Sequence, residues 1–309
     1  MLRILTSSSK LSQAIKTCVD TVYSDSQTIK DNTNYVRKAL PSLHTTVTAL
    51  YDAKDLRRHD AIMQWLSPTD FPAQQHDIIS RKQEGTGQWF LDSPEFKGWL
   101  QGTDTTLFCP GIPGAGKTMV AAIAIDQLCR TARSNDIGVA YLFCNYKAQA
   151  DQSATSLLAA LLKQLVQSRP DMAAPVTHIY DQHSKQRTRP SLNDIFRALQ
   201  SVCSNYAVIH IIVDALDECA DKDGARGRLI HILRELQASA DVRLMFTSRF
   251  IPEITQKFCS NPMLEIRASK EDVGRFVVGR MPSLPNCIQR DDELKRAVQN
   301  KIVEAVDGM

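Results

Sequence analysis

The chain has 309 residues, 43% of them hydrophobic, and a formal net charge of +3 at pH 7. This length and composition indicate one large or two ordinary globular domains with a sizeable core. The small net charge gives no reason to expect nucleic acid or an acidic membrane as a partner.

Eight cysteines are scattered along the chain without a C-x-x-C pair, so we expect free thiols and neither a zinc site nor a disulfide framework. No apolar run approaches the ~18 residues that span a bilayer. Both features favour a cytoplasmic protein. The alternative is mitochondrial, because the first 17 residues carry Arg3, Lys10 and Lys16 and no acid precedes Asp20.

The first part of the chain, residues 1–64, is predicted to be a helical N-terminal segment. Apolar residues recur at three- and four-residue spacings between about 10 and 66. Ordinary packing of this pattern is the favoured interpretation, and a short coiled coil or partner-binding helix is the alternative. Residues 65–105 hold all three tryptophans and the Gly85-Thr86-Gly87 turn, and they read as a connector.

Short apolar runs and helical patterns then alternate through residues 106–268. The strand candidates are 106–111, 138–146, 206–214, 242–248 and, as a last candidate, 263–267. Strands that alternate with helices at this spacing predict an α/β fold with a mostly parallel sheet. Residues 269–309 are predicted to begin a C-terminal helical region.

The stretch GIPGAGKT between a predicted strand and a predicted helix matches the G-x-x-x-x-G-K-[ST] pattern. In such a loop, backbone N–H groups surround phosphate oxygens, the lysine reaches the β- and γ-phosphates, and the hydroxyl ligates Mg²⁺. The pattern predicts binding of a nucleoside triphosphate with Mg²⁺, and it does not distinguish ATP from GTP. The predicted phosphate-binding residues are Gly111, Ile112, Pro113, Gly114, Ala115, Gly116, Lys117 and Thr118.

The stretch IIVDALDEC ends an apolar strand with three acids. Beside a phosphate loop, such a strand is a Walker B arrangement, so Asp214 is predicted to hold Mg²⁺ together with Thr118. Asp217 or Glu218 is predicted to orient or deprotonate the attacking water. The alternative for these two acids is that they cap the next helix or face solvent.

Arg249 follows the strand VRLMFTS, at the sheet edge where open α/β folds bind ligands. It is predicted to contact the γ-phosphate, and a surface arginine paired with an acid is the alternative.

Together these stretches resemble the NACHT family of STAND-class P-loop NTPases, and specifically the nephrocystin-like NACHT domains of fungal NLR-like proteins. The resemblance rests on CPGIPGAGKTMV, AYLFCNY, IIVDALDEC, MFTSRF and the tryptophan-rich connector, over residues 60–309. It implies a nucleotide-dependent signalling switch with slow hydrolysis and self-association through the NACHT domain. It also implies that Ser248 and Arg249 form a sensor, and we expect Gly85 to Trp89 to approach the base or ribose.

The resemblance also implies further helical and repeat domains after residue 309 and an effector domain before residue 60. We therefore expect either a fragment or shortened product, or a minimal NACHT protein. Two other functions stay open: a conventional P-loop ATPase or kinase that uses the basic segment 183–190 as a lid, and a non-catalytic nucleotide-binding scaffold.

Overall fold

A computed structural model describes residues 2–132, 136–219, 221, 224–284 and 286–306. The chain divides into two compact units, Met1–Ala61 and Ile62–Met309. Within the described residues, no helix is both long and apolar enough to cross a membrane.

The first unit lies within one long helix, α1, which runs over Leu2–Leu66 and contains Pro41. The predicted helical segment is a single helix. Every residue from 16 to 50 is exposed, so the apolar side chains of this stretch do not pack within the chain. The favoured expectation of ordinary packing is wrong for residues 16–50.

The second unit begins with the last residues of α1, where Ile62, Met63 and Leu66 enter the hydrophobic core. Three short helices follow before the first strand: α2 (Phe71–Ser80), α3 (Gln88–Asp92) and α4 (Pro94–Gln101). Asp70 caps α2 and Ser93 caps α4 through side-chain bonds to backbone N–H groups. The predicted connector is therefore largely helical.

The centre of the second unit is a four-stranded sheet in the order β1-β4-β3-β2, with every neighbouring pair parallel. Its strands are β1 (Thr106–Pro110), β2 (Ile137–Phe143), β3 (Val208–Asp214) and β4 (Val242–Ser248). The remaining helices are α5 (Lys117–Thr131), α6 (Ala154–Ser168), α7 (Ala174–Gln186), α8 (Leu192–Cys203), α9 (Ala225–Ser239), α10 (Pro252–Thr255), α11 (Lys270–Arg280), α12 (Asn286–Gln289) and α13 (Asp292–Val306). The predicted α/β class with a parallel sheet is confirmed.

The last predicted strand, 263–267, is not a regular strand. Met263 forms an isolated parallel bridge with Phe108 of β1. The segment also donates two backbone N–H groups to β1, from Leu264 to Phe108 and from Ile266 to Pro110. It lies along the free edge of β1 and carries the chain to α11.

At the opposite edge of the sheet, the backbone of β2 forms hydrogen bonds with a side chain of α6. The amide of Gln164 in α6 accepts a hydrogen bond from the backbone N–H of Tyr141 and donates one to its carbonyl, at 3.1 and 2.8 Å. An unpaired strand edge can template association with another chain, so this amide protects β2. Next to it, the Lys163 Nζ donates to the carbonyl of Ser67 at 2.8 Å and ties the connector to α6.

One buried polar residue of the core has no hydrogen-bond partner among the described residues. His210 of β3 packs edge-on against the fully buried Trp99, with ring centroids 5.1 Å apart, and both its ring nitrogens are unpaired. Burial, assisted by the charge of Arg243, lowers the pKa of His210 from 6.5 to about 4. The folded protein therefore holds this imidazole neutral.

We predict that the unfolding free energy of the wild type falls as the pH drops from about 6.5 to about 4, because the unfolded chain takes up a proton at His210 that the folded chain resists. The loss at this residue is on the order of 3 kcal/mol. Urea titrations at several pH values give the slope of the unfolding free energy against pH, and His210→Leu should remove this residue's part of that slope. His76→Leu, at an exposed position, should leave the slope unchanged; equal slopes for wild type and His210→Leu would contradict the assignment.

Candidate functional site

The loop GIPGAGKT connects the end of β1 to the start of α5. Gly114 and Gly116 have φ values of 81° and 91°, and a Cβ on either would meet no atom within 4 Å. Gly116 caps α5 without a side-chain bond, so the first N–H groups of the helix face the open loop. A helix N-terminus with this exposure attracts anions.

Gly111 holds the start of the loop against two neighbouring segments, the end of β4 and the segment before α11. Its N–H donates to the carbonyl of Ser248 at 3.0 Å, and a Cβ at this position would lie 2.5 Å from the carbonyl oxygen of Ile266. Any side chain here would push the loop away from the sheet edge. The glycine is therefore required by packing as well as by the motif.

The ammonium group of Lys117 folds back over the loop. It donates to the carbonyl oxygens of Gly111 and Ile112, both at 2.8 Å. Partial burial lowers its pKa, and the charges of Asp217 and Asp214 act in the opposite direction. An anion in the loop would compete with these neutral carbonyls for a charged donor, and charge-assisted bonds are the stronger ones.

Asp214 ends β3 and is 2% exposed. The Thr247 hydroxyl at the end of β4 donates to its Oδ1 at 2.5 Å. Burial raises the pKa of Asp214, while the hydroxyls of Thr247 and Thr118 and the charge of Lys117 act to lower it. The two predicted metal ligands, Thr118 and Asp214, therefore lie together at the sheet edge.

The chain turns sharply after Asp214 because Ala215 adopts a left-handed conformation, with φ 53° and ψ 49°. Its N–H donates to the Thr247 hydroxyl at 2.9 Å, so one threonine holds both Asp214 and the turn. The short 3₁₀ helix Leu216–Glu218 follows, with Leu216 buried beneath it. The turn sends the two remaining acids to different neighbours.

Asp217 faces β4, where it is paired with Arg249. The Arg249 Nε and backbone N–H donate to the two carboxylate oxygens, at 2.5 and 3.0 Å. Burial alone would raise the pKa of Asp217, but these bonds and the arginine charge hold it below its usual value. The alternative weighed for Arg249, pairing with an acid, is therefore observed, although the acid is itself a predicted site residue.

Arg249 nevertheless remains beside the phosphate loop. Its side chain is 49% exposed, against 2% for Asp217, and it lines one hollow together with Ile112 and Pro113.

Glu218 turns in the other direction, towards the segment that follows β2. Its Oε2 accepts a hydrogen bond from the backbone N–H of Tyr146 at 3.2 Å. The next helix, α9, is capped by Gly224 without a side-chain bond. The suggestion that these acids cap that helix is therefore wrong.

A cavity of about 570 Å³ opens beside the loop, within the size range of small-molecule sites. Its lining includes Gly114 to Gly116, Ile123 of α5, Trp89 and Phe276 of α11. Thr86, Gly87 and Trp89, from the stretch that is expected to approach the base or ribose, line the same cavity as the phosphate loop. Most lining residues are apolar, so the cavity suits a flat apolar group more than a phosphate.

One carboxylate that lines this cavity was not predicted from the sequence. Asp272 of α11 accepts hydrogen bonds from the Gly87 N–H at 2.8 Å and the Trp89 Nε1 at 3.2 Å. Arg275, one turn later, donates to the carbonyl of Gly85 at 2.7 Å. These bonds tie the connector to the C-terminal helical region across 185 residues of sequence.

The basic segment 183–190 lies elsewhere. Its first residues belong to α7, and Arg189 lies over the Trp65 ring with its charge 5.8 Å from the ring centroid. In the part of the chain that the structure describes, no residue of this segment lines the cavity or the hollow beside the phosphate loop. The structure thus gives no support for a lid here.

Residues 85–249 match the family described as "Nephrocystin 3, N-terminal". The chain belongs to this family. The matched range begins at the connector turn, contains the phosphate loop and Asp214, and ends at Arg249. The predicted NACHT-like domain is thereby confirmed.

Among characterised proteins, the chain is similar to the vegetative incompatibility protein HET-E-1 of Podospora anserina, with 25% identity over 234 residues. The match covers 71% of this chain and 17% of the relative, so the chain spans about a sixth of that protein.

Two solved structures show weaker likeness. AMPPCP-bound DnaA from Aquifex aeolicus is 13% identical with a TM-score of 0.41, over 74% of this chain and 62% of that one. A Walker-type ATPase of Pyrococcus abyssi is 12% identical with a TM-score of 0.44, over 74% and 64%.

We predict that Thr247→Val lowers the unfolding free energy by about 1 to 3 kcal/mol, because it leaves the buried Asp214 carboxylate and the Ala215 N–H without their shared partner. Thr247→Ser keeps the hydroxyl and should lose much less. Urea denaturation at pH 7 measures both. A loss in Thr247→Val no larger than the loss in Thr247→Ser would contradict the prediction, because the hydroxyl bonds would then contribute no more than the packing of the methyl group.

Proposed function

We propose that this NACHT-like domain binds a nucleoside triphosphate with Mg²⁺, with the phosphates in the loop Gly111 to Thr118. The observation that carries the proposal is the position of the buried Asp214 carboxylate beside Thr118 at the mouth of an open glycine loop. Carboxylate and hydroxyl oxygens at the end of a P-loop are the donors that suit Mg²⁺.

In this proposal Thr118 and Asp214 hold the metal, Asp214 directly or through water. When bound, Mg²⁺ neutralises phosphate charge and orients the phosphate oxygens. Lys117 exchanges its two loop carbonyls for phosphate oxygens, and the N-terminal N–H groups of α5 bind them from the other side. The buried carboxylate then shares its charge with a cation, which offsets its desolvation.

The base and ribose are proposed to occupy the cavity between Trp89 and Phe276. Its position next to Gly114 to Gly116 supports this, because a nucleotide whose phosphates lie in the loop extends over the loop's outer side. Apolar walls accept the faces of either purine, so the lining favours neither ATP nor GTP.

Lys117→Ala should weaken Mg²⁺-nucleotide binding about 10- to 100-fold, the effect of losing charge-assisted hydrogen bonds. Isothermal titration with ATP and with GTP measures both the loss and the preferred base. The matched control is Lys97→Ala, at an exposed lysine of α4, which should bind like the wild type. Absence of binding to wild-type protein in the presence of Mg²⁺ would refute the proposal.

We further propose slow hydrolysis, with Glu218 as the residue that orients or deprotonates the attacking water. Asp217 is engaged by two bonds from Arg249, so it is less able to serve a water molecule. Arg249 is proposed to exchange Asp217 for the γ-phosphate, which its place in the hollow with Ile112 and Pro113 supports.

Glu218→Gln should reduce turnover about 10²- to 10⁴-fold, the usual effect of removing a general base, while binding stays near the wild-type value. Phosphate release under saturating Mg²⁺-nucleotide measures this. Glu235→Gln, at an exposed position of α9, serves as the control. If Asp217→Asn, and not Glu218→Gln, abolished turnover with binding intact, the two roles would be reversed.

The biological role that we propose is that of a nucleotide-dependent switch that self-associates through the NACHT-like domain. Two observations support it: the Asp217–Arg249 pair at the loop, and the bonds by which Asp272 joins the connector to the C-terminal helices beside the cavity.

A further inference from the structure

The long helix α1 carries its apolar residues with a period of 3.5. Seven-residue steps connect Val22, Ile29, Val36, Leu43 and Leu50. A second row, three residues earlier in each heptad, contains Val19, Leu40 and Val47. With Val19 placed at position a, the first row occupies d, and position d is apolar through five consecutive heptads and position a in three of them. Such a repeat is typical of a coiled coil with a left-handed supercoil.

These side chains form a continuous exposed stripe. All eight are between 40% and 66% exposed, and they make up eight of the eleven large exposed hydrophobic residues described in the first unit. Scattered apolar residues are normal on a surface, but a stripe of this length marks an interaction site.

The a and d positions together form the seam of the predicted coiled coil, and the polar residues of α1 are compatible with it. Ser26 and Thr33 occupy the other a positions, and the Thr33 hydroxyl donates to the carbonyl of Ile29 at 2.7 Å, so its polar group is satisfied within the helix. Pro41 interrupts the backbone bonding of α1 but lies at b, away from the seam. Neither feature blocks a partner helix.

The charges beside the seam favour a second copy of this chain in parallel register. The basic residues at position e are Lys30, Arg37 and His44, and the charged residue at position g is Asp25. In a parallel coiled coil, residue g faces e of the next heptad on the other helix, so Asp25 meets Lys30 of the second copy. Antiparallel pairing brings the two e rows together, and their basic residues repel.

We propose that residues 19–50 of α1 form a parallel, in-register coiled coil with a second copy of this chain. This interface lies in the first unit and does not depend on nucleotide binding. It is distinct from self-association through the NACHT-like domain.

Sedimentation equilibrium of the full chain without nucleotide tests the proposal. Ile29→Glu combined with Leu43→Glu places charges at d and should raise the dissociation constant at least ~100-fold. The matched control is Tyr35→Glu combined with Leu56→Glu, at equally exposed c positions, which should associate like the wild type. Circular dichroism verifies that both variants keep their helix content, and Lys117→Ala should also assemble normally.

A charge exchange tests the orientation. Asp25→Lys and Lys30→Glu should each weaken association, and the double variant should restore it, because it rebuilds the g–e′ pair with reversed signs.

Three results would overturn the proposal. A wild-type chain that is monomeric up to about 100 µM has no such interface. An oligomer that persists in the variant Ile29→Glu combined with Leu43→Glu associates through another surface. A monomer that binds anionic lipid vesicles through α1 uses the stripe for a membrane. Failure of nucleotide binding leaves this test unaffected, since no step of it uses nucleotide.

Discussion

The buried carboxylate of Asp214 is the constraint on which the site depends. It lies at the end of a strand that is covered on both faces, where an unpaired charge would cost several kcal/mol. The parallel register places Phe246 of β4 opposite Val213, so the residue after Phe246, Thr247, comes beside Asp214. Its hydroxyl stabilises the carboxylate and the following left-handed turn together. The positions of Asp217 and Glu218 both follow from that turn.

Much of the second unit follows from its sequence. Parallel strands bring their carboxyl ends to one edge, so a glycine loop after β1, an acid at the end of β3 and an arginine after β4 must lie near one another. The strand candidates were accordingly placed within a few residues of their observed bounds. The prediction of a last strand at 263–267 is wrong because this segment lies at the free edge of β1. A few backbone hydrogen bonds and one isolated bridge hold it there, and they do not make a regular strand.

Other features had no local signal. Asp272 reaches Gly87 and Trp89 from the far end of the domain, and only the three-dimensional path of the chain brings them together. The role of Thr247 as the partner of Asp214 was predictable, because Thr247 directly follows Phe246, the residue of β4 that pairs with Val213 of β3. A charged residue such as Arg249, two positions later, gives a stronger signal than a threonine. For α1, periodicity identifies an apolar face and does not tell whether the same chain or another covers it.

The pairing of Asp217 with Arg249 has a consequence for a switch. The Asp217 side chain is 2% exposed and receives two bonds from Arg249, whereas the Arg249 side chain is 49% exposed and contributes its Nε to the pair. In the proposed switch, a γ-phosphate that attracts the guanidinium would break the Nε bond to Asp217, while the bond from the Arg249 backbone N–H would stay. In that proposal the exchange would give the site a second arrangement, and a ligand shifts the balance only by binding one arrangement better than the other. Glu218 accepts its bond from the segment that follows β2 instead, so the water-orienting role proposed for it does not depend on the Arg249 pair.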